Sequence, residues 1–308
     1  MLLKKYGVPF LFVGILILAT VLIAGCGGSK SSNANNYTTS EATTANEINE
    51  GDTFTAMTNT TVTSSSALLT AVSNAKAGDV ITISGTIKIT STVKCSASGT
   101  SSSRITLKGG TLDFTGMAVS SSNRGIQISG NYWTISGVTV KNAGDNGICI
   151  TGANNQITNC NVSGCADTGI QIYNSSAKNN AVSGCTSSSN YDTANGGENA
   201  DGFACKLSAS TGNSFANCTA NSNSDDGYDL YDAAGVVTFT SCSASSNGKG
   251  SNGDGNGFKL GPGNYAHKLT GCTATNNKAW GFTRNGNTAN ISMSGCTGSG
   301  NGKGLSDI

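Results

Sequence analysis

Proline is nearly missing from this chain, with 2 residues in 308, and charged residues make up only 11%, against roughly a quarter in an average soluble domain. Scarce proline without a Gly-X-Y period excludes a collagen. Neither sign of charge dominates, with 18 Lys and Arg against 17 Asp and Glu. The basic face of a nucleic-acid binder is therefore absent, and no nucleic-acid partner is expected. Aromatics are sparse at 6% and histidine occurs once, and no CxxC pair or Cys/His cluster suggests zinc. What abounds is glycine, 42 residues, together with Ser, Thr and Asn. These residues are poor in helix interiors, which excludes helical bundles and coiled coils. The composition points to a β-rich, turn-rich extracellular architecture.

Lys4 and Lys5 precede an apolar run from Val8 to Ala24 that stops at Gly25-Cys26. A charged start, an apolar centre and a small-residue cleavage site read as an export signal over residues 1–25. Leu22-Ile23-Ala24-Gly25-Cys26 resembles the lipobox of bacterial lipoproteins. That resemblance implies cleavage before Cys26 and a lipid on its thiol, which would hold a monomeric protein at the surface of a bacterial cell membrane. An ordinary secretory signal or a single membrane helix are the alternatives. Residues 26–60 lack apolar periodicity and read as a disordered tether, with the folded part spanning 61–308 and beginning near Val62.

From Gly125 onward one unit recurs: a glycine, an apolar residue, then alternation. It starts at Gly125, Gly147, Gly169, Gly202, Gly227, Gly257 and Gly281, with steps of 22, 22, 33, 25, 30 and 24. Cys160, Cys185, Cys218, Cys242, Cys272 and Cys296 recur in phase, and five residues after most of them comes Asn190, Asn223, Asn247, Asn277 or Asn301. Short strands at such a period, with no helices between them, predict a solenoid. The expected fold is all-β, a right-handed parallel β-helix with equivalent residues stacked at about 4.8 Å. Residues one and three places after each glycine face inward, and those two and four places after face outward. The Asn column is expected at a tight turn, where Asn tolerates left-handed geometry and its amides bond along the stack. Residues 66–77 read as a short amphipathic helix ending at Gly78 that caps the first coil. Stacked cysteines sit wider apart than a disulfide prefers, so the column is expected to be free thiols acting as small hydrophobes, with disulfides, which export would permit, as the alternative.

The step from the Asn column to the next glycine is 4 residues at Asn223 and Asn277, but 12 at Asn190 and 10 at Asn247. Two coils therefore carry insertions on one edge, a common way to build a cleft. Just past them, Asp201 and Asp226 each precede a repeat glycine, Asp225 adjoins Asp226, and Asp229 faces outward two places after Gly227. Like charges this close require a cation, and oxygen-only ligation suits Ca²⁺ better than Mg²⁺. Lys259 occupies the position of Asp229 one coil on. Beside a bound dication its pKa would fall, which fits a general base. A structural Ca²⁺ with Lys259 as an ion-pair partner is the alternative reading. The calcium leaves an excess of negative charge, so further cations should line the cleft. Lys206, Lys249 and Arg284 are the candidates for binding substrate carboxylates.

NADGFACKL (199–207), NSDDGYDLYD (223–232) and NGDGNGFKLG (252–261) resemble the signature segments of polysaccharide lyase family 9, pectate lyases on a parallel β-helix. The resemblance implies that Asp201, Asp225, Asp226 and Asp229 bind a catalytic Ca²⁺ and that Lys259 is the Brønsted base. It implies a β-elimination on polygalacturonate, in which the C5 proton of a galacturonate is removed and the C4 oxygen leaves. A polygalacturonase is disfavoured, because its Gly-His-Gly and Arg-x-Lys segments are missing and the one histidine, His267, reads as a turn residue outside the cluster. A uronate C5-epimerase, a lyase on another polyuronate, or a calcium-stabilised carbohydrate-binding adhesin are the alternatives. An adhesin would have no need of Lys259.

Overall fold

The computed structural model describes residues 57–308. The expected export signal, Cys26 and most of the expected tether lie outside these residues. The described part is one parallel solenoid of three sheets, with one nine-residue helix, Ser65–Ser73. A ten-stranded sheet runs from Asn59–Val62 to Ser292–Ser294, and two nine-stranded sheets run alongside it. One of these, from Val93–Cys95 to Gly304–Ser306, carries the repeat glycines and their strands. The right-handed β-helix expected from the repeat is the observed fold.

Register is in phase throughout, because each repeat glycine starts its strand at the same height. Ile148 pairs with Ile126 and Ile170, Phe203 with Ile170 and Tyr228, and Phe258 with Tyr228 and Phe282. These residues are fully buried. Their aromatic members form a stack with centroid spacings of 5.0 Å for Phe203–Tyr228, 4.5 Å for Tyr228–Phe258 and 4.9 Å for Phe258–Phe282. A second pair, Phe215–Phe239, stacks at 5.3 Å and meets the first column edge to face. Packed aromatics of this kind contribute beyond their buried area, and they form a stiff floor under the strands that carry the acidic residues.

Every described cysteine is a free thiol, and all but Cys296 are buried. Burial pushes the Cys165 and Cys205 thiols up to about 12, so they stay protonated and act as small apolar groups. The Asn column bonds along the stack as expected: the side-chain amide of Asn190 donates to Asn223 at 2.9 Å, Asn223 to Asn247 at 3.0 Å, Asn247 to Asn277 at 2.9 Å, and Asn277 to Asn301 at 2.9 Å. The left-handed residue is, however, the one before each: Ser189, Ser222, Ser246, Asn276 and Gly300 have positive φ. The bend is completed one residue earlier, leaving the Asn free to turn its amide inward. Asn223 is fully buried and also donates to the Ser187 carbonyl. Asn223→Ala is expected to strand its neighbours' amides and cost about 3 kcal/mol, read as a lower urea midpoint at unchanged slope.

Ser64 caps the helix by accepting from the Ala67 amide, and Leu68 and Val72 are its buried face. It packs against the strands Asn59–Val62, Val80–Ile83 and Val93–Cys95 at the first coil. The helix ends at Ser73, short of the expected Ala77. Asp79 accepts the Lys76 amide at 2.8 Å and the Thr58 amide at 2.9 Å, which draws the chain out of the helix toward the strand Val80–Ile83 before it reaches Gly78.

Candidate active site

The strand register brings Ala204, Asp229 and Lys259 into one outward column on successive coils, as the repeat spacing predicts. Asp201 and Asp226 form a second column just before the repeat glycines. The Asp226 amide donates to Asp201 Oδ1 at 3.2 Å, and the amide and side chain of Asn256 donate to Asp226 Oδ1 at 2.6 and 3.0 Å. Thr168 donates its hydroxyl to Asp201 Oδ2 at 3.0 Å, and the Asp254 amide donates to Asp225 Oδ1 at 2.6 Å. Asp201, Asp225, Asp226 and Asp229 are all buried.

Carboxylate oxygens of Asp201, Asp225 and Asp226 lie within 4.8 Å of one another. Burial, helped by neighbouring aspartates and opposed by Lys206 and Lys259, pushes Asp201 up to about 6, Asp226 to about 8 and Asp225 to about 10. Three carboxylates so placed cannot all ionise near neutral pH without added positive charge. Among the described residues Asp226 Oδ2 is the one buried side-chain oxygen without a hydrogen-bond partner, and the charge it faces is the Lys259 ammonium at 3.4 Å. A cation would satisfy it. The donor set is oxygen alone, which suits a hard ion such as calcium.

Two lysines serve this cluster differently. The Lys206 ammonium sits 2.8 Å from Asp201 Oδ2 and 3.2 Å from Asp229 Oδ2, and the lysine is itself buried. It is committed to aspartates in place of the substrate carboxylate expected for it, because the strand Phe203–Lys206 points it into the cluster. Lys259 lies 2.7 Å from Asp254 Oδ2 and 3.4 Å from Asp226 Oδ2, with its ammonium 5.9 Å from the centre of the Tyr231 ring. Burial favours its neutral form, but Asp229, Asp226 and Asp254 outweigh that and hold it above the usual lysine range. The lowered pKa expected beside a dication is thus not the state of the lysine when the carboxylates face it directly.

A cleft of about 380 Å³ opens over Lys259, Asp225 and Asp229. The first insertion supplies Glu198 and Asn199 to its wall, and the second supplies Asp254. The insertions touch across the intervening coil, where the Asn252 amide donates to the Gly196 carbonyl at 3.2 Å and its side chain to the Asn195 carbonyl at 2.9 Å. Leu207 and Tyr231, both partly exposed, give the cleft an apolar side. Leu207 and Ser208 hold φ of 54° and 69°, a strained pair of the kind found at functional sites.

The other expected cations stand apart. Lys249 is exposed in the second insertion and does not line the cleft. Arg284 donates to the carbonyls of Asn287 and Ala289 at 3.1 and 2.8 Å, bordering a neighbouring depression. His267 is buried, accepts the Val237 amide on Nδ1 at 3.1 Å, and is pushed by burial down to about 4. It is a structural group in the corner that Asn155, Asn180 and Asn213 occupy on earlier coils. Asp254 and Asn256 escape sequence reasoning as site residues. Asp254 had one signal, an acid inside an insertion next to the lysine's own coil.

Residues 49–307 match the family described as "Pel9A-like, right handed beta helix region". The chain is 42% identical over 213 residues to the Pectate lyase L of Paenibacillus polymyxa (strain SC2), covering 62% of this chain and 47% of the relative. To the Pectate lyase L of Dickeya chrysanthemi it is 35% identical over 178 residues, covering 55% of this chain and 41% of the relative. It thus spans about half the length of the curated relatives it matches. Among solved structures, that of pectate lyase Pel9A superposes with a TM-score of 0.70 at 28% identity, covering 77% of this chain and 68% of that one.

Proposed function

The chain belongs to the Pel9A-like right-handed β-helix family, and from that premise we propose that it is a pectate lyase that cleaves polygalacturonate by β-elimination. Asp201, Asp225 and Asp226 would hold a calcium ion, with Asp229 on the rim of the same group, and Lys259 would be the base. One observation carries this reading: Asp226 Oδ2, buried and without a hydrogen-bond partner, lies among carboxylates on the face that presents Lys259 to the cleft, with the Lys259 ammonium 3.4 Å away. When bound, calcium supplies positive charge at the substrate's C6 carboxylate, which acidifies the adjacent C5 proton.

The chain's own residues account for the remainder. Neutral Lys259 takes the C5 proton on Nζ. The electron pair of that C–H bond becomes the C4–C5 double bond as the C4–O bond breaks, and the departing oxygen takes a proton from water. Lys206, shared between Asp201 and Asp229, offsets one of their two charges, which lessens the cluster's repulsion of an anionic polymer. Leu207 and Tyr231 give the sugar an apolar surface. The same proposal puts this activity at a bacterial cell surface, on the support of the lipobox-like run Leu22-Ile23-Ala24-Gly25-Cys26.

Because Lys259 must be deprotonated and the surrounding carboxylates hold its proton, turnover is expected to rise from about pH 7 to about pH 10. A flat or falling profile would remove Lys259 as the base. The overall reading is tested by absorbance of the unsaturated uronate product on polygalacturonate, with calcium and with chelator. Product that forms only with calcium supports it. A folded, calcium-bound protein that forms none would shift the assignment to another polyuronate or to an adhesin.

A further inference from the structure

Beyond Lys259, toward the C-terminal coils, lies a second depression of about 410 Å³ that shares Asp254 with the cleft. Asp254 is the ridge between the two. Trp280 stands in the column of Asp201, Asp226 and Asn256, one coil further on, and its backbone amide donates to Asn256 Oδ1 at 3.2 Å. The indole is half-buried, and its ring N–H has no partner among the described residues. A Cβ at Gly304, whose φ is 117°, would come within 3.2 Å of the ring's Cζ3. Glycine there leaves the ring lying against bare backbone. Lys303, exposed beside it, has neither an ion pair nor a side-chain hydrogen bond among the described residues.

Charge distinguishes this depression from the cleft. A polyuronate approaching the aspartates needs cations, and both lysines of the cleft are already paired to carboxylates. In the second depression Asp307 is occupied by the Thr283 hydroxyl at 2.8 Å and the Arg284 amide at 2.7 Å. Lys303 is left unpaired, and Arg284 carries its charge without a carboxylate contact. Next to the reacting centre, then, this is where an anionic sugar meets unspent positive charge and an aromatic face together.

We propose that Trp280 and Lys303 form a subsite for a uronate residue of the polymer, adjoining the sugar that reacts at Lys259. The sugar ring lies on the indole, its carboxylate meets Lys303, and Asp254 marks the boundary it crosses toward the cleft. The subsite rests on the pectate reading and adds two specificity residues to it. It makes affinity depend on a charged sugar one position away from the bond that breaks.

The test uses the whole protein with Lys259→Ala, which binds without turnover. Oligogalacturonates are titrated calorimetrically into it with calcium present, then into versions that also carry Lys303→Glu or Trp280→Ala. Affinity is expected to fall about fivefold to tenfold with each. The chain's two tryptophans are Trp133 and Trp280, and Trp133 is fully buried, so a bound sugar should also protect fluorescence from acrylamide through Trp280. Lys303→Glu lies on the surface and leaves the core intact, so it stands as the folding-independent variant. Binding within twofold of the parent in both variants, with unprotected fluorescence at saturation, overturns the subsite alone. A parent that binds no polyuronate overturns the pectate reading and the subsite with it.

Discussion

Lys259→Ala is expected to lower turnover of polygalacturonate by about 10³-fold while leaving calcium binding in place. The size follows from the register. On the outward column of the site strands Lys259 faces Asp229 on one side and Thr283 on the other, so no second amine stands where it stands. Lys206 cannot replace it, because its ammonium is held by Asp201 and Asp229 within the cluster. Lys259→Arg should not rescue the loss, since a guanidinium stays protonated at any working pH. Lys259→Met keeps most of the stem without the amine, and should be as inactive as the alanine variant. Calcium affinity measured on each variant separates a lost base from a collapsed cluster. An adhesin would bind polymer equally well with and without Lys259 and form no product in either case. If the alanine variant kept more than a tenth of parental turnover, the proton would have to leave by another route.

What the sequence disclosed and what it withheld divide along a physical line. Backbone placement was legible, because the glycine repeat sets the height of each strand start and a two-residue side-chain period does the rest. That is why the spacing alone pairs Asp229 with Lys259 across coils and assigns Cys218 and Asn223 to stacked columns. Partner choice was hidden. Lys206 and Lys259 occupy similar outward positions, yet one turns to Asp201 and the other to Asp254. The decision depends on where the second insertion folds back, which is set by contacts such as Lys278 donating to the Gly253 carbonyl at 2.8 Å. Long-range loop contacts of this sort leave no periodic trace. The shift of the left-handed residue to Ser222, one before Asn223, was hidden for a subtler reason. Asn is a common left-handed residue in general, and only the demand of the ladder on its amide moves the bend to its neighbour.

Chelation is expected to abolish turnover and, at alkaline pH, to destabilise the fold. Asp201, Asp226 and Asp225 are pushed up to about 6, 8 and 10 with no cation present, chiefly by burial and then by neighbouring aspartates, against the opposing pull of Lys206 and Lys259. A carboxyl group whose folded pKa lies above its unfolded value near 4 stabilises the folded state at low pH, and that contribution is lost as pH rises toward the folded value. The cation-free protein should therefore lose stability steadily between about pH 4 and about pH 10, the interval those shifts define. Calcium reverses the trend by binding the ionised form, so its stabilising effect should grow with pH over the same interval. Asp226→Asn separates the contributions. The amide keeps an oxygen for the Asn256 donors, which stand at 2.6 and 3.0 Å, but places no charge beside Asp201 and Asp225. In chelator at alkaline pH the variant is expected to be more stable than the parent by on the order of 2 kcal/mol, about 5 °C in midpoint. In calcium it should gain almost nothing further, and its turnover should fall by more than about 10²-fold. Thermal scans of both proteins at pH 5 and pH 9, with and without calcium, would decide it. A variant less stable than the parent in chelator at pH 9 would mean that the Asp226 carboxylate is not strained by its neighbours, and an undiminished calcium response would put the ion elsewhere.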